Sequence, residues 1–109
     1  MKRVLFVCSQ NALRSPTAEQ VFAKHSGIEV DSAGTNAGAQ QPLTSELVRW
    51  ADLIFVMEKV HRSKITRRFR ADLNGKRVIC LDIPDNYEYM APALVRLLQT
   101  KVTPFLPRG

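Results

Sequence analysis

The chain has 109 residues and a mass of 12.3 kDa, is 45% hydrophobic and 24% charged, and carries a formal net charge of +6. That is one domain of ordinary globular composition, with enough core to need neither disulfides nor a structural metal. Two cysteines 72 positions apart exclude a disulfide framework or a cysteine metal site, no apolar run reaches membrane-spanning length, and the run Val4–Cys8 is too short for a signal peptide.

In chain order, Val4-Leu5-Phe6-Val7 runs straight into Cys8 and predicts a buried strand. A short loop leads to Arg14. Ser15-Pro16 then suits an N-cap and a first helical position, because proline's missing N–H costs nothing there. Leu13, Ala18, Val21, Phe22 and His25 trace one helical face, ended by Ser26-Gly27. Ile28–Asp31 reads as a second strand and residues 36–42, small and polar, as a loop. Thr44 caps a short helix through Leu47, Val48 and Trp50, and Leu53–Met57 forms a third strand. Helical spacing returns at Val60, Ile65 and Phe69, Asn74-Gly75 marks a turn, and Arg77–Leu81 is a fourth strand. A last helix starts at Pro92, with Ala91, Leu94, Val95, Leu98 and Val102 on its apolar face. Residues 101–109, with two prolines, are expected as a loosely held tail. His25 and His61 both read as structural. Strands alternating with helices predict a single α/β domain over 1–109, a doubly wound four-stranded parallel sheet of flavodoxin-like topology in order 2-1-3-4.

The strand–loop–helix around Cys8 carries chemistry. Unpaired N–H groups collect there at the positive end of a helix dipole, which suits an anion. A thiol in that setting beside a guanidinium is stabilised as thiolate, with its pKa drawn from about 8.5 into a range of roughly 3.5–7.5. Arg14 offers a planar fork for two phosphate oxygens. Thiolate and fork on one loop suit in-line attack on phosphorus and a cysteinyl-phosphate intermediate. The fourth strand brings residues 81–89 to the same sheet edge, where Asp82 and Asp85 are candidates to protonate a leaving group, a step worth roughly 10²–10⁴-fold. Asn11 and Ser15 suit support of the loop and of the sulfur. Tyr87 and Tyr89 fit either an aromatic pocket wall or packing on the last helix.

Cys8, Asn11, Arg14, Ser15, Pro16, Ala18 and Glu19 together resemble the signature of the low-molecular-weight protein tyrosine phosphatases. Asp31-Ser32-Ala33-Gly34-Thr35, the segment 51–58 and the Asp85 region resemble further motifs of that family, in its order. The resemblance implies a cysteine-dependent phosphomonoester hydrolase, a protein tyrosine phosphatase without metal or cofactor. Its catalytic residues would be Cys8, Arg14 and Asp85, and its phosphate loop Ser9, Gln10, Asn11, Ala12, Leu13, Arg14 and Ser15. Ser32 would brace Asn11. A phosphorylated protein or small aryl phosphate is the implied partner, and a cytoplasmic location without membrane attachment the natural inference from the cysteine usage. The chain departs from the family in three places: Gln10 stands for the loop glycine, Asn86 follows Asp85 where the family has proline, and the stretch from Thr35 to Leu43 is short. In this it resembles the short predicted tyrosine phosphatases of the superfamily more than its longer members.

Two rival functions belong beside this one. A non-catalytic phosphate- or nucleic-acid-binding module could use the same loop with the basic segment Lys59–Arg77, where eight Lys or Arg face one acid, Asp72. That segment lacks interleaved aromatics and reads as a solvated helix face that steers anions, with nucleic acid the less favoured partner. An arsenate reductase needs resolving cysteines. Cys80, on a strand two away from that of Cys8, would lie about 9–10 Å off, beyond the ~7 Å at which Cα atoms permit a bridge.

Overall fold

Four strands, β1 (Lys2–Cys8), β2 (Ile28–Gly34), β3 (Leu53–Val56) and β4 (Arg77–Cys80), alternate with four helices, α1 (Arg14–Phe22), α2 (Ser45–Trp50), α3 (Lys59–Arg68) and α4 (Pro92–Val102). This computed structural model describes residues 1–107. The sheet is parallel throughout in the order β2-β1-β3-β4, as the alternation predicts. Side chains alternate across the central strand β1. Val4, Phe6 and Cys8 meet Phe55, Leu94, Leu98 and Val102 on the side of α1 and α4. Leu5 and Val7 meet Ile54, Val56, Val48 and Ile65 on the side of α2 and α3. With both faces covered, β1 reads as an unbroken apolar run. Phe6 stacks between Phe22 and Phe55 at centroid distances of 5.8 and 5.5 Å. Each such buried side chain contributes about 1.5–3 kcal/mol of transfer free energy.

Strand pairing continues past the formal strand ends and builds the functional edge. The Met57 N–H donates to Val7 O, Leu81 N–H to Val56 O and Ile83 N–H to Met57 O. The chain after β4 is thereby laid across the end of β3 towards the loop that follows Cys8.

Several expectations shift. Helix α1 begins at Arg14, so Ser15 lies within its first turn and its hydroxyl caps nothing. Proline is tolerated throughout that turn, where N–H groups lack intrahelical partners, so Ser-Pro did not fix the phase. Leu13, expected on the buried face, is 39% exposed. In α3 Ile65 and Phe69 face the core as expected, but Val60 is exposed and its place is taken by His61, four residues before Ile65 on the same face and fully buried. Strand β2 reaches Gly34, three residues further than expected. Within the stretch expected as a loosely held tail, α4 runs through the buried Val102, an exposed 3-10 turn follows, and Leu106, four residues on, packs into the α1–α4 core. Arg108 and Gly109 lie outside the described residues.

Candidate active site

Cys8 ends β1 at the carboxyl edge of the sheet, beside the point where the chain order reverses between β1 and β3, the usual ligand position in such folds. Residues 9–13 form the loop, and α1 starts at Arg14. A cavity of about 100 Å³ opens there, lined by Cys8, Ser9, Gln10, Ala12, Leu13, Arg14 and Asp85. The phosphate-loop residues named from sequence are thus brought together, Leu13 on the exposed lip, with Asn11 and Ser15 buried behind them.

Asn11 takes the left-handed backbone conformation at φ 55°, which asparagine tolerates better than most residues. Its amide anchors a directed chain of hydrogen bonds. Ser32 Oγ donates to Glu19 Oε1 at 2.5 Å, since a carboxylate only accepts. Ser32 Oγ therefore accepts from Asn11 Nδ2 at 2.9 Å. The same amide donates to Ser15 Oγ at 3.0 Å, leaving the Ser15 hydroxyl hydrogen for Cys8 Sγ, 3.0 Å away, with the longer Ala33 O contact at 3.4 Å as its alternative acceptor. Glu19, quoted above only as part of a motif, thus sets the polarity of the whole chain. Gln10 needs no glycine-like conformation, because its φ is not positive; its carbonyl accepts from Gln40 N–H at 3.0 Å.

Gly34 permits this construction. A Cβ there would meet Ala39 Cβ at 2.5 Å, Ser9 O at 2.6 Å and Asn11 N at 3.0 Å. The short 36–42 segment thus closes onto the loop itself: Thr35 N–H donates to Cys8 O and Asn36 N–H to Ser9 O.

Arg14 is 98% buried, and a buried cation needs partners. Nη1 donates to Glu58 Oε1 at 2.6 Å and to Ile83 O at 2.7 Å, while Nε lies 3.6 Å from Asp85 Oδ1. One edge of the guanidinium is therefore tied down, and the other faces Asp85. Asp82, the rival acid, is turned elsewhere. It takes φ 53°, accepts from Cys80 Sγ at 3.4 Å and lines a separate hollow with Glu58, Lys59, Val60 and Pro84. Cys80 pairs with Val56, which pairs with Val7, so it sits two strands from Cys8's strand; burial foremost pushes its thiol pKa up, opposed by a backbone hydrogen bond at Asp82 and reinforced by the Asp82 carboxylate. Tyr87 packs against the α1–α4 core, and Tyr89 is exposed.

His61 is not the remote structural residue expected from sequence. Its ring is fully buried and its Nε2 lies 2.8 Å from Ser9 Oγ. The Glu58 N–H donates to its Nδ1 at 3.0 Å, closing a capping box at the start of α3. Burial foremost, then the neighbouring Arg14 cation, lowers its pKa from 6.5 to about 4. The Glu-x-x-His spacing before an apolar position was the available signal.

Part of the basic segment is also structural. Arg68 donates to Thr35 O at 2.7 Å and Lys64 to Asn36 Oδ1 at 3.4 Å, so one face of α3 holds the 36–42 segment. Arg62, Arg67 and Arg70 line an open hollow with Ser63 and Thr66 and make no ion pair among the described residues. No group of three or more His, Cys, Asp or Glu among the described residues could hold a metal ion.

A family model for low molecular weight phosphotyrosine protein phosphatases matches residues 3–47, which hold β1, the loop, α1, β2 and the 36–42 segment. The low molecular weight protein-tyrosine-phosphatase Etp of Escherichia coli K12 is 29% identical over 113 residues, covering 77% of this chain and 76% of Etp. Among solved structures, Vibrio vulnificus Wzb in complex with benzylphosphonate superposes with a TM-score of 0.77 at 27% identity, over 95% of this chain and 96% of that one. The YwlE arginine phosphatase from Geobacillus stearothermophilus reaches a TM-score of 0.79 over 96% of this chain and 90% of its own, at 23% identity, a likeness of fold.

Proposed function

We propose that the chain is a member of the low-molecular-weight protein tyrosine phosphatase superfamily and that it hydrolyses phosphate monoesters, phosphotyrosine in proteins foremost, through a phosphocysteine on Cys8. One observation carries the reading: the Cys8 sulfur, the Arg14 guanidinium and the Asp85 carboxyl line one small cavity at a helix N-terminus. Loop N–H groups and the Nε edge of Arg14 hold the phosphoryl oxygens. Asp85, at 3.6 Å from that edge, stands where it yields the Arg14 contact to incoming phosphate. Sulfur attacks phosphorus as the ester P–O bond breaks, and Asp85 gives its proton to the departing oxygen. In the second step Asp85 takes a proton from water, the water oxygen attacks phosphorus, and the S–P bond breaks to release inorganic phosphate. Ser15 then donates to the departing sulfur, and Asn11, Ser32 and Glu19 keep Ser15 so oriented.

The partner this reading favours is a phosphorylated protein, the substrate class that the matching family model and the relative Etp are named for. The unpaired arginines of α3 add attraction for anionic substrates. No helix among the described residues is long and apolar enough to cross a membrane, and the two free thiols suit a reducing cytoplasm. The test is turnover of p-nitrophenyl phosphate by the purified chain, abolished in Cys8→Ser, followed by release of phosphate from phosphotyrosine and phosphoarginine peptides. Inert wild-type protein, or an active Cys8→Ser, refutes the enzyme. Faster cleavage of the phosphoarginine peptide reassigns the substrate.

A further inference from the structure

We propose that His61 is a positioning residue that acts through Ser9, fixing the Ser9 hydroxyl so that its hydrogen is donated to an oxygen of the phosphate held in the loop. The inference rests on the phosphatase reading and adds a residue to its substrate-binding set.

Hydrogen-bond direction decides the matter. The Glu58 backbone N–H can only donate, and its partner is His61 Nδ1 at 3.0 Å. That nitrogen therefore carries no hydrogen. A neutral imidazole has one N–H, which must then sit on Nε2, 2.8 Å from Ser9 Oγ. So Nε2 donates and Ser9 Oγ accepts. The serine's single hydrogen has no other side-chain or backbone acceptor among the described residues, and Ser9 lines the cavity with Cys8 and Arg14. The ring stays neutral because it is fully buried, with Arg14 and Lys64 nearby. A second proton would also set an Nδ1–H against the Glu58 N–H. The same turn of α3 grips the loop's other end, because Glu58 Oε1 accepts from Arg14 at 2.6 Å. One helical turn thus holds both the second and the last positions of the Cys8–Arg14 segment.

Two isosteres of His61 separate the two ring nitrogens. In His61→Asn the side-chain oxygen can replace Nδ1 and keep the Glu58 cap, but nothing reaches Ser9. In His61→Gln the amide nitrogen reaches the place of Nε2 and can still donate to Ser9. A hydrogen bond to a charged ligand is worth about tenfold to a hundredfold in affinity. Binding of inorganic phosphate and of vanadate is measured by calorimetry, and kcat and KM on p-nitrophenyl phosphate in parallel. Ser9→Ala and His61→Asn are each expected to weaken phosphate binding by about tenfold or more, His61→Gln to recover most of it, and the double variant Ser9→Ala/His61→Asn to be no weaker than Ser9→Ala alone. Thermal melts check that each variant folds. If His61→Asn does not fold, Ser9→Ala and His61→Gln still decide.

Unchanged phosphate affinity in Ser9→Ala overturns the proposal, as do additive losses in the double variant. Phosphate binding with this His61 and Ser9 dependence in a chain that turns over nothing refutes the enzyme and upholds the assignment of Ser9 as a phosphate donor. Normal turnover, indifferent to both residues, does the reverse.

Discussion

Gly34→Ala is the sharpest perturbation this structure offers, because one methyl group would be aimed at the Cys8–Arg14 loop. The added Cβ would lie 2.5 Å from Ala39 Cβ, 2.6 Å from Ser9 O and 3.0 Å from Asn11 N. Carbon contacts settle near 3.5–4.0 Å, so relief demands a displacement of about 1 Å. Two of the three obstacles are backbone atoms of the loop, which no rotamer change can move. Overpacking of this kind costs about 1–3 kcal/mol, and a misplacement of ~1 Å at a reacting centre can cost about 10²-fold in rate. We expect Gly34→Ala to fold with a melting temperature lower by about 4–15 °C and to lose about 10²-fold in kcat/KM on p-nitrophenyl phosphate. Gly38→Ala is the matched control: the same exchange in the adjoining segment, where a Cβ would meet nothing within 4 Å, should change neither quantity. Adding Ala39→Gly to Gly34→Ala removes the 2.5 Å contact and should restore stability more than activity, since the clashes with Ser9 and Asn11 remain. Wild-type kcat/KM and phosphate affinity in Gly34→Ala would refute the view that this close approach sets the loop.

Three further outcomes follow from the site. Asp85→Ala should slow turnover by about 10²–10⁴-fold on an alkyl phosphate and much less on p-nitrophenyl phosphate, whose leaving group needs little protonation, while Asp82→Ala shows no such dependence; the reverse pattern moves the acid to Asp82. Iodoacetate should modify Cys8 in a reaction slowed by phosphate, and Cys80, whose thiol pKa is raised, slowly and without regard to phosphate, as peptide mapping will show. His61 makes stability fall with pH: its folded pKa of about 4 lies below the ordinary 6.5, so the unfolded chain binds the extra proton and stability is lost between pH 6.5 and 4. Arg14 and Lys64 reinforce that depression and Glu58 and Asp85 oppose it, so the loss approaches about 3 kcal/mol at most and should show as the difference between urea titrations of the wild type and His61→Gln; parallel curves for the two would exclude it.

What the amino-acid order settled by itself was local. The apolar run into Cys8, the later apolar runs of β3 and β4 and the helical spacing of α4 specify elements through contacts between near neighbours, and the alternation of strands and helices specifies a parallel sheet. The Cys8–Arg14 loop was legible for the same reason, since its members lie within one strand–loop–helix. Boundaries were less so: Ser15-Pro16 is compatible with several helix starts, and in the fold the helix begins at Arg14 while the Ser15 hydroxyl is engaged by Cys8 and Asn11 instead of capping it. The groups that brace the loop come from far along the chain. Glu58 reaches Arg14 across 44 positions, Ile83 O across 69, and His61 reaches Ser9 across 52. Nothing periodic marks such pairs. They exist because β1 and β3 are neighbours and the chain after β4 is laid across the end of β3, which places the first turn of α3 and residues 83–85 around the carboxyl end of β1. Gly34 belongs with them: in sequence it is a small residue at a strand end, and only the folded chain brings Ser9, Asn11 and Ala39 within a methyl group's reach of it.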